Sequence, residues 1–200
     1  ASESLIPDQL RALRGGPTKG MVRVGAPRPE AIARLLDWGA DGIMVPHVGD
    51  RSEAEAIVRA AHYPPRGRRG FSRTVRAHGY GLSAPEEKAP PLLLAQIETR
   101  AAVEASEQIA GVEGIDVLFV GPADLQHDLR QKTSMPPVAY EQCLEQVAVA
   151  ARSTGKAAGL LVRDPSEVRT RLEQGFTFLA IQSDLSLLRD SYGAILREAR

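Results

Sequence analysis

With only one cysteine in the chain, no intramolecular disulfide can form. Cys143 lies in a helix-like run from Tyr140 to Ala151, so it reads as a buried structural thiol and not as a nucleophile. Such sparing use of cysteine fits a reducing, cytoplasmic setting. Net charge is missing as well: 25 Lys and Arg balance 25 Asp and Glu. Nucleic acid or an anionic membrane surface as partner would want a basic surplus, so both are set aside. No apolar run approaches membrane-spanning length, and no signal peptide is visible. No Gly-x-Gly-x-x-Gly follows an early strand, which removes support for a dinucleotide fold. Ser-His-Asp order, Cys-x-x-Cys and a phosphate-binding Gly-Lys-Ser/Thr are equally absent. Neither a low-complexity tract nor a linker divides the chain, so residues 1–200 read as one domain.

What is present is a strict alternation of strand-like and helix-like stretches. A helix over 1–14 enters through Pro7 and Asp8 and stops at Gly15-Gly16-Pro17. Met21 to Gly25 is a short strand. A helix follows from Pro29, with Ile32, Leu35 and Leu36 on one face, and ends near Gly39. Gly42 to Pro46 is a second, nearly all-apolar strand, as a sheet covered on both faces requires. Ser52 with Glu55 predicts a capping box for a helix running to about His62. Tyr63 to Pro91 is rich in proline, glycine and arginine and has no periodicity. A loop of that length inside a compact domain is functional or mobile. The pattern then resumes: strand 92–98, helix 100–110, strand 117–121, a loop from Gln126 to Pro137, helix 138–154, strand 157–162, helix 165–174, strand 178–181 and helix 185–198. Six βα units imply parallel strands with helices outside, either a (β/α)8 TIM barrel short of two units or an open doubly wound sheet.

Two of these strands end on carboxylates. Glu98 closes Leu92–Glu98, and Asp124 follows Val117–Gly121 through a Gly-Pro turn. Neighbouring parallel strands present their C-terminal ends on one rim, so both carboxylates should emerge together. Two hard oxygen ligands suit an octahedral divalent ion such as Mg²⁺ or Mn²⁺. The competing reading makes Glu98 the cap of the next helix and Asp124 part of an Asx turn. Polar residues at the other strand ends are Arg23, His47, Gln96, Arg163 and Asp184. Arg23 sits in an apolar strand and needs an anion or a partner such as Asp37 or Glu98. Backbone N–H groups of Gly121-Pro122-Ala123-Asp124 offer a cradle for a carboxylate. His47 and His127 read first as surface or packing residues. The arginines 66, 68, 69, 73 and 76 form a basic cluster facing solvent, a subunit or an anionic substrate. Trp38 reads as core.

Gln96-Ile97-Glu98-Thr99-Arg100 followed by Val120-Gly121-Pro122-Ala123-Asp124-Leu125 resembles the HpcH/HpaI aldolase family. Met21-Val22-Arg23-Val24, Leu35-Leu36-Asp37-Trp38-Gly39, Val45-Pro46-His47-Val48, Tyr63-Pro64-Pro65-Arg66-Gly67 and Gly155-Lys156-Ala157-Ala158-Gly159 extend the likeness over nearly the whole chain in one order. The resemblance implies a metal-dependent (Mg²⁺, Mn²⁺ or Co²⁺) lyase that cleaves a 4-hydroxy-2-oxo acid to pyruvate and an aldehyde. By motif, Glu98 and Asp124 resemble the metal ligands, and Arg23 the arginine that stabilises the enolate. Gln96 resembles a pocket glutamine, the Gly121–Asp124 backbone a carboxylate cradle, and Leu161 a wall on the aldehyde side. Asp37, counted with the catalytic residues, resembles an acidic residue placed near the catalytic histidine, across a subunit boundary. The likeness also implies homo-oligomers, a hexamer or a smaller trimer or dimer, that exchange the last helix. An acyl-CoA lyase like the citrate lyase β subunit is the alternative within the superfold. The family carries two further strands at the front, the second ending Asp-x-Glu-His, whose histidine takes part in proton transfer. Here the chain starts Ala1-Ser2-Glu3-Ser4. Serine stands at the histidine position if Glu3-Ser4 is aligned with Glu-His, and a member that binds without turnover is therefore a second expectation.

Overall fold

The computed structural model describes residues 2–83, 89–131 and 138–199. Six strands are formed: β1 Met21–Arg23, β2 Gly42–Val45, β3 Leu92–Ile97, β4 Val117–Val120, β5 Ala157–Val162 and β6 Phe176–Ile181. Every neighbouring pair is parallel, and the spatial order is the sequence order, β1 to β6. A doubly wound sheet reverses its order at a switch point. This one never does, so it is an arc of a (β/α) barrel. Among the described residues β1 and β6 are not paired with each other, so the six strands form a partial barrel and not a closed eight-stranded one.

The helices are α1 Ile6–Ala12, α2 Pro29–Asp37, α3 Arg51–Ala61, α4 Arg100–Glu104, α5 Ser106–Ala110, α6 Pro122–Gln131, α7 Tyr140–Ser153, α8 Val168–Glu173 and α9 Asp184–Glu198. In α2, Pro29 opens the first turn, where its missing N–H costs nothing. Ile32, Leu35 and Leu36 then share one buried stripe. Gly39 takes φ +99° just past the end, a conformation closed to most side chains.

Several local expectations are corrected. Asp50, not Ser52, caps α3: its carboxylate accepts from the Glu53 amide at 2.9 Å, while the Ser52 hydroxyl donates back to it. Both residues are capping types, and the one that held extended backbone won. The stretch 100–110 is two short helices broken at Ala105. The expected loop from Gln126 begins instead as the body of α6, and its remainder, 132–137, lies outside the described residues. Within Tyr63–Pro91, a 3₁₀ segment covers Arg76–Gly81, and residues 84–88 lie outside the description. Cys143 is buried in α7, as expected of a structural thiol. No described helix is long and apolar enough to cross a membrane.

The sheet has two apolar faces. Toward the helices, Ile43, Leu93, Ala95, Ile97, Leu118 and Val120 join Ile57, Leu144 and Val147 in one large core. On the inner face, Leu94, Val117 and Phe119 pack with Met21, Met44, Leu161 and Phe178. Side chains alternate along a strand. Leu94 therefore sets the inner face for Gln96 and Glu98, one layer higher at the C-terminal rim. Met21 does the same for Arg23.

At the opposite rim, His62 follows α3 and is buried, with its Nε2 unpartnered among the described residues. Burial, then the neighbouring Arg66 charge, holds its pKa below the ordinary value. The folded state thus resists a proton that the unfolded chain accepts below about pH 6.5. Stability from this group is complete above that pH and is lost as pH falls toward the folded pKa. Thermal denaturation between pH 7.5 and 5.5 should show a falling Tm for the wild type and a flatter one for His62→Asn. Equal slopes would remove the assignment.

Candidate active site

Glu98 is the residue around which the rim is arranged. Its side chain is only 1% exposed, although it carries a charge. Taking a carboxylate out of water costs several kcal/mol unless it is paired and hydrogen-bonded. Half of that demand is met. Oε2 accepts from the backbone N–H of His47 at 2.8 Å, and the Nδ1 of the same residue lies 2.9 Å from it. Oε1 is buried and has no hydrogen-bond partner among the described residues. The nearest cation is the Arg23 guanidinium, whose Nη2 lies 3.9 Å away.

The neighbours follow from the register. Arg23 ends β1, and its Nε donates to Gln96 Oε1 at 2.5 Å. Gln96 is buried, so this bond both orients the amide and fixes the arginine. His47 stands just past β2 with φ +56°, uncommon for a residue with a side chain. That left-handed turn is what aims the amide and the ring nitrogen at the same carboxylate oxygen. Thr99, not Glu98, caps α4 by accepting from Ala102 N. The capping reading of Glu98 is thereby excluded.

Gly121 closes the floor. A Cβ built there would lie 2.7 Å from Glu98 Cγ and 2.8 Å from Oε1. Real Cβ atoms do not approach that closely, so glycine is required by contact. Of the expected amide cradle, Gly121 N is already committed to Ile97 O at 3.1 Å, and Pro122 has no N–H. Only the Ala123 and Asp124 amides remain, at the N-terminus of α6, where an anion is favoured. Asp124 itself is exposed in the first turn of α6. It follows β4, the strand paired with β3, so it stands on the same rim as Glu98.

A buried, unpartnered carboxylate oxygen facing a rim with a second carboxylate is the donor set a hard divalent ion takes. Among the described residues no group of three His, Cys, Asp or Glu side chains could hold an ion. Two protein carboxylates with the remaining positions open is how such a site leaves room for a chelating ligand. Leu161 stands on β5, packed on the inner face beside the rim. Asp37 is elsewhere. It ends α2 at the N-terminal rim and is hydrogen-bonded by Arg69, whose guanidinium also lies 4.7 Å over the Tyr63 ring. The basic cluster is correspondingly less available than its sequence suggests. Arg66 pairs with Glu113 at 3.8 Å, and Arg76 donates to Pro7 O at 2.6 Å. His127 lies on α6 and Asp184 opens α9, and neither joins the Glu98 cluster through a described contact.

The chain is similar to known proteins of one enzyme family. The chain is 37% identical over 194 residues to the hydroxypyruvate/pyruvate aldolase of Agrobacterium fabrum, covering 95% of this chain and 73% of that one. It is 35% identical over 186 residues to a 5-keto-4-deoxy-D-glucarate aldolase of Shigella boydii, covering 92% and 72%. A crystal structure of an HpcH/HpaI aldolase/citrate lyase family protein from Burkholderia cenocepacia superposes with a TM-score of 0.91 at 30% identity, covering all of this chain and 81% of that one. The profile of the HpcH/HpaI aldolase/citrate lyase family matches residues 4–191, and the chain is a member of that enzyme family.

Proposed function

We propose that the chain is a carbon–carbon lyase that cleaves a 4-hydroxy-2-oxo acid to pyruvate and an aldehyde. The observation that carries the reading is the orphaned, buried Oε1 of Glu98 beside the Arg23 guanidinium. Glu98 and Asp124 would hold a divalent cation, Mg²⁺, Mn²⁺ or Co²⁺, which when bound supplies Lewis-acid stabilisation of the 2-oxo acid.

The chain's own residues do the rest. The Ala123 and Asp124 amides receive the pyruvate carboxylate at the N-terminal end of α6. Arg23, held by Gln96, places its positive charge where negative charge develops on the keto oxygen. Once a base has taken a methyl proton, the electron pair is delocalised onto that oxygen. In the synthetic direction, the methyl carbon attacks the aldehyde carbon. One C–C bond forms, and the former carbonyl oxygen takes up a proton. Cleavage is the reverse. Asp37, bound to Arg69 at the far rim, enters this scheme only from a neighbouring copy. Leu185, Leu188, Tyr192, Ile195 and Leu196 are exposed along α9, which supports an assembly that covers them. Arg66, Arg69 and Arg76 are tied to the chain's own groups, which leaves fewer of the cluster's arginines for the phosphates that the acyl-CoA alternative needs them to hold.

A second reading, binding of keto acid without turnover, rests on Ser4, which takes the histidine's place when Glu3-Ser4 is aligned with Glu-His. It stands within the 3₁₀ turn Glu3–Leu5. Proton NMR of pyruvate in D₂O separates the two. The expected result is methyl exchange that requires added divalent ion, stops with chelator and returns on reloading. Asp124→Ala should weaken apparent metal affinity by about tenfold or more. Exchange indifferent to both chelator and Asp124→Ala would overturn the metal assignment. Calorimetric binding of pyruvate without exchange would select the second reading.

A further inference from the structure

Arg23 and Glu98 carry opposite charges and stand close, yet they do not close on each other. Arg23 Nη2 stops 3.9 Å from Glu98 Oε1, and that oxygen has no hydrogen-bond partner among the described residues. A buried carboxylate gains most from a guanidinium that takes both of its oxygens in a fork. The fork is not made here, so the two groups must be held apart.

Each is tied on its far side. On the arginine, Nε donates to Gln96 Oε1 at 2.5 Å, and Gln96 is itself buried. On the carboxylate, the tie is His47. Its backbone N–H donates to Oε2 at 2.8 Å, and its Nδ1 lies 2.9 Å from the same oxygen. A carboxylate oxygen only accepts, so the ring nitrogen beside it carries a proton. Packing does not explain the ring, which is exposed at the rim and belongs to neither hydrophobic cluster. Bringing it there takes φ +56° at a residue with a side chain, a backbone conformation that persists where the surroundings over-determine it.

We infer that His47 is a positioning residue whose ring keeps Glu98 from closing on Arg23, so that Oε1 stays available to a divalent cation and the guanidinium to the keto oxygen. The inference rests on the lyase reading above and adds what holds its two charged groups apart. Without the ring, Oε2 keeps only the amide, and the carboxylate is free to turn toward Arg23. The pair then formed takes the oxygen that a cation needs. Closure harms function and favours the fold, because it pairs a buried charge that is incompletely satisfied.

Two substitutions respect the left-handed backbone. His47→Gly keeps the amide and the turn and deletes the ring; His47→Asn keeps them and returns a side-chain N–H donor. Mn²⁺ alone is titrated into the full chain, and the free ion is read by electron paramagnetic resonance, with no substrate and no turnover. His47→Gly should weaken Mn²⁺ affinity by about tenfold or more, the scale of losing a group that orients a metal ligand, with no fall in Tm. His47→Asn should recover most of the affinity. In an Arg23→Met background, where the competitor is gone, His47→Gly should cost little further affinity. Wild-type affinity in His47→Gly overturns the inference, as does an equal loss with and without Arg23, or no recovery in His47→Asn. If the wild type takes up no Mn²⁺, the metal part of the lyase reading fails. Nitrogen NMR of the histidine-labelled, cation-free protein then decides on His47 separately. A neutral ring with its proton on Nδ1, shifting to Nε2 in Glu98→Ala, supports the tie; a proton on Nε2 in the wild type removes it.

Discussion

Glu98→Gln should reduce metal-dependent pyruvate exchange by on the order of 10³-fold while leaving the protein at least as stable as the wild type. The two halves of that expectation have one cause. Glutamine keeps a carbonyl oxygen that can accept from His47 N, so the hydrogen bond on Oε2 survives. The other end becomes a neutral NH₂ where the wild type holds a buried carboxylate oxygen with no hydrogen bond among the described residues. Removing a charge that is incompletely paired relieves a desolvation cost, and that gain appears as an unchanged or higher Tm, about 2–4 °C per kcal/mol in a chain of this size. Activity should move the opposite way, because the same oxygen is the one left free for a cation. A carboxylate kept for packing alone would show the reverse pattern: a lower Tm and an activity loss no larger than the loss of folded protein. Scanning calorimetry beside the NMR exchange assay distinguishes these outcomes.

The rim of carboxylates was legible because it is written in strand ends. Leu92 to Glu98 and Val117 to Asp124 are apolar runs stopped by acids, and parallel pairing puts such ends together. The layer below was legible for the same reason, since period 2 from Leu94 fixes where Gln96 and Glu98 face. Arg23 could be flagged because an apolar strand does not carry an arginine without a partner, and Glu98 was one of the partners weighed. His47 was missed as a site residue. Its role depends on φ +56° at that one position, and no sequence pattern announces a left-handed histidine. In retrospect, the usable signal was its place directly after an apolar strand, where the barrel collects its chemistry.

The extent of the amide cradle was misread for a related reason. Four consecutive residues at a turn suggest four donors, but proline has none, and Gly121 N pairs with β3 before any ligand arrives. Helix boundaries failed where two residues compete for one task. Asp50 and Ser52 are both good caps, and which of them holds extended backbone is decided by the path of the chain leaving His47. The basic loop was legible as composition only. That Arg69 lies over Tyr63 and holds Asp37 is a matter of tertiary placement.

Gly121→Ala is the sharper test of the same geometry, because it changes no charge and no ligand. Gly121 does not sit in the left-handed region, so alanine meets no backbone penalty there. The whole effect is contact: the new methyl would stand 2.7 Å from Glu98 Cγ, 2.8 Å from Oε1 and 3.2 Å from Cδ. Glu98 cannot retreat cheaply, since His47 holds Oε2 from the other side. Overpacking of this kind costs about 1–3 kcal/mol in stability. A carboxylate pushed out of line should weaken divalent-ion affinity by about tenfold or more, and exchange should fall by about 10²-fold. The decisive measurement is the cycle with Glu98→Ala, which deletes the atoms the methyl meets. In the Glu98→Ala background, adding Gly121→Ala should cost almost no stability and no further activity. The coupling energy in the cycle should then nearly equal the stability cost of Gly121→Ala in the wild type. If the two substitutions instead add independently, Gly121 is not the floor beneath Glu98, and the close approach that leaves Oε1 bare is not what shapes this site.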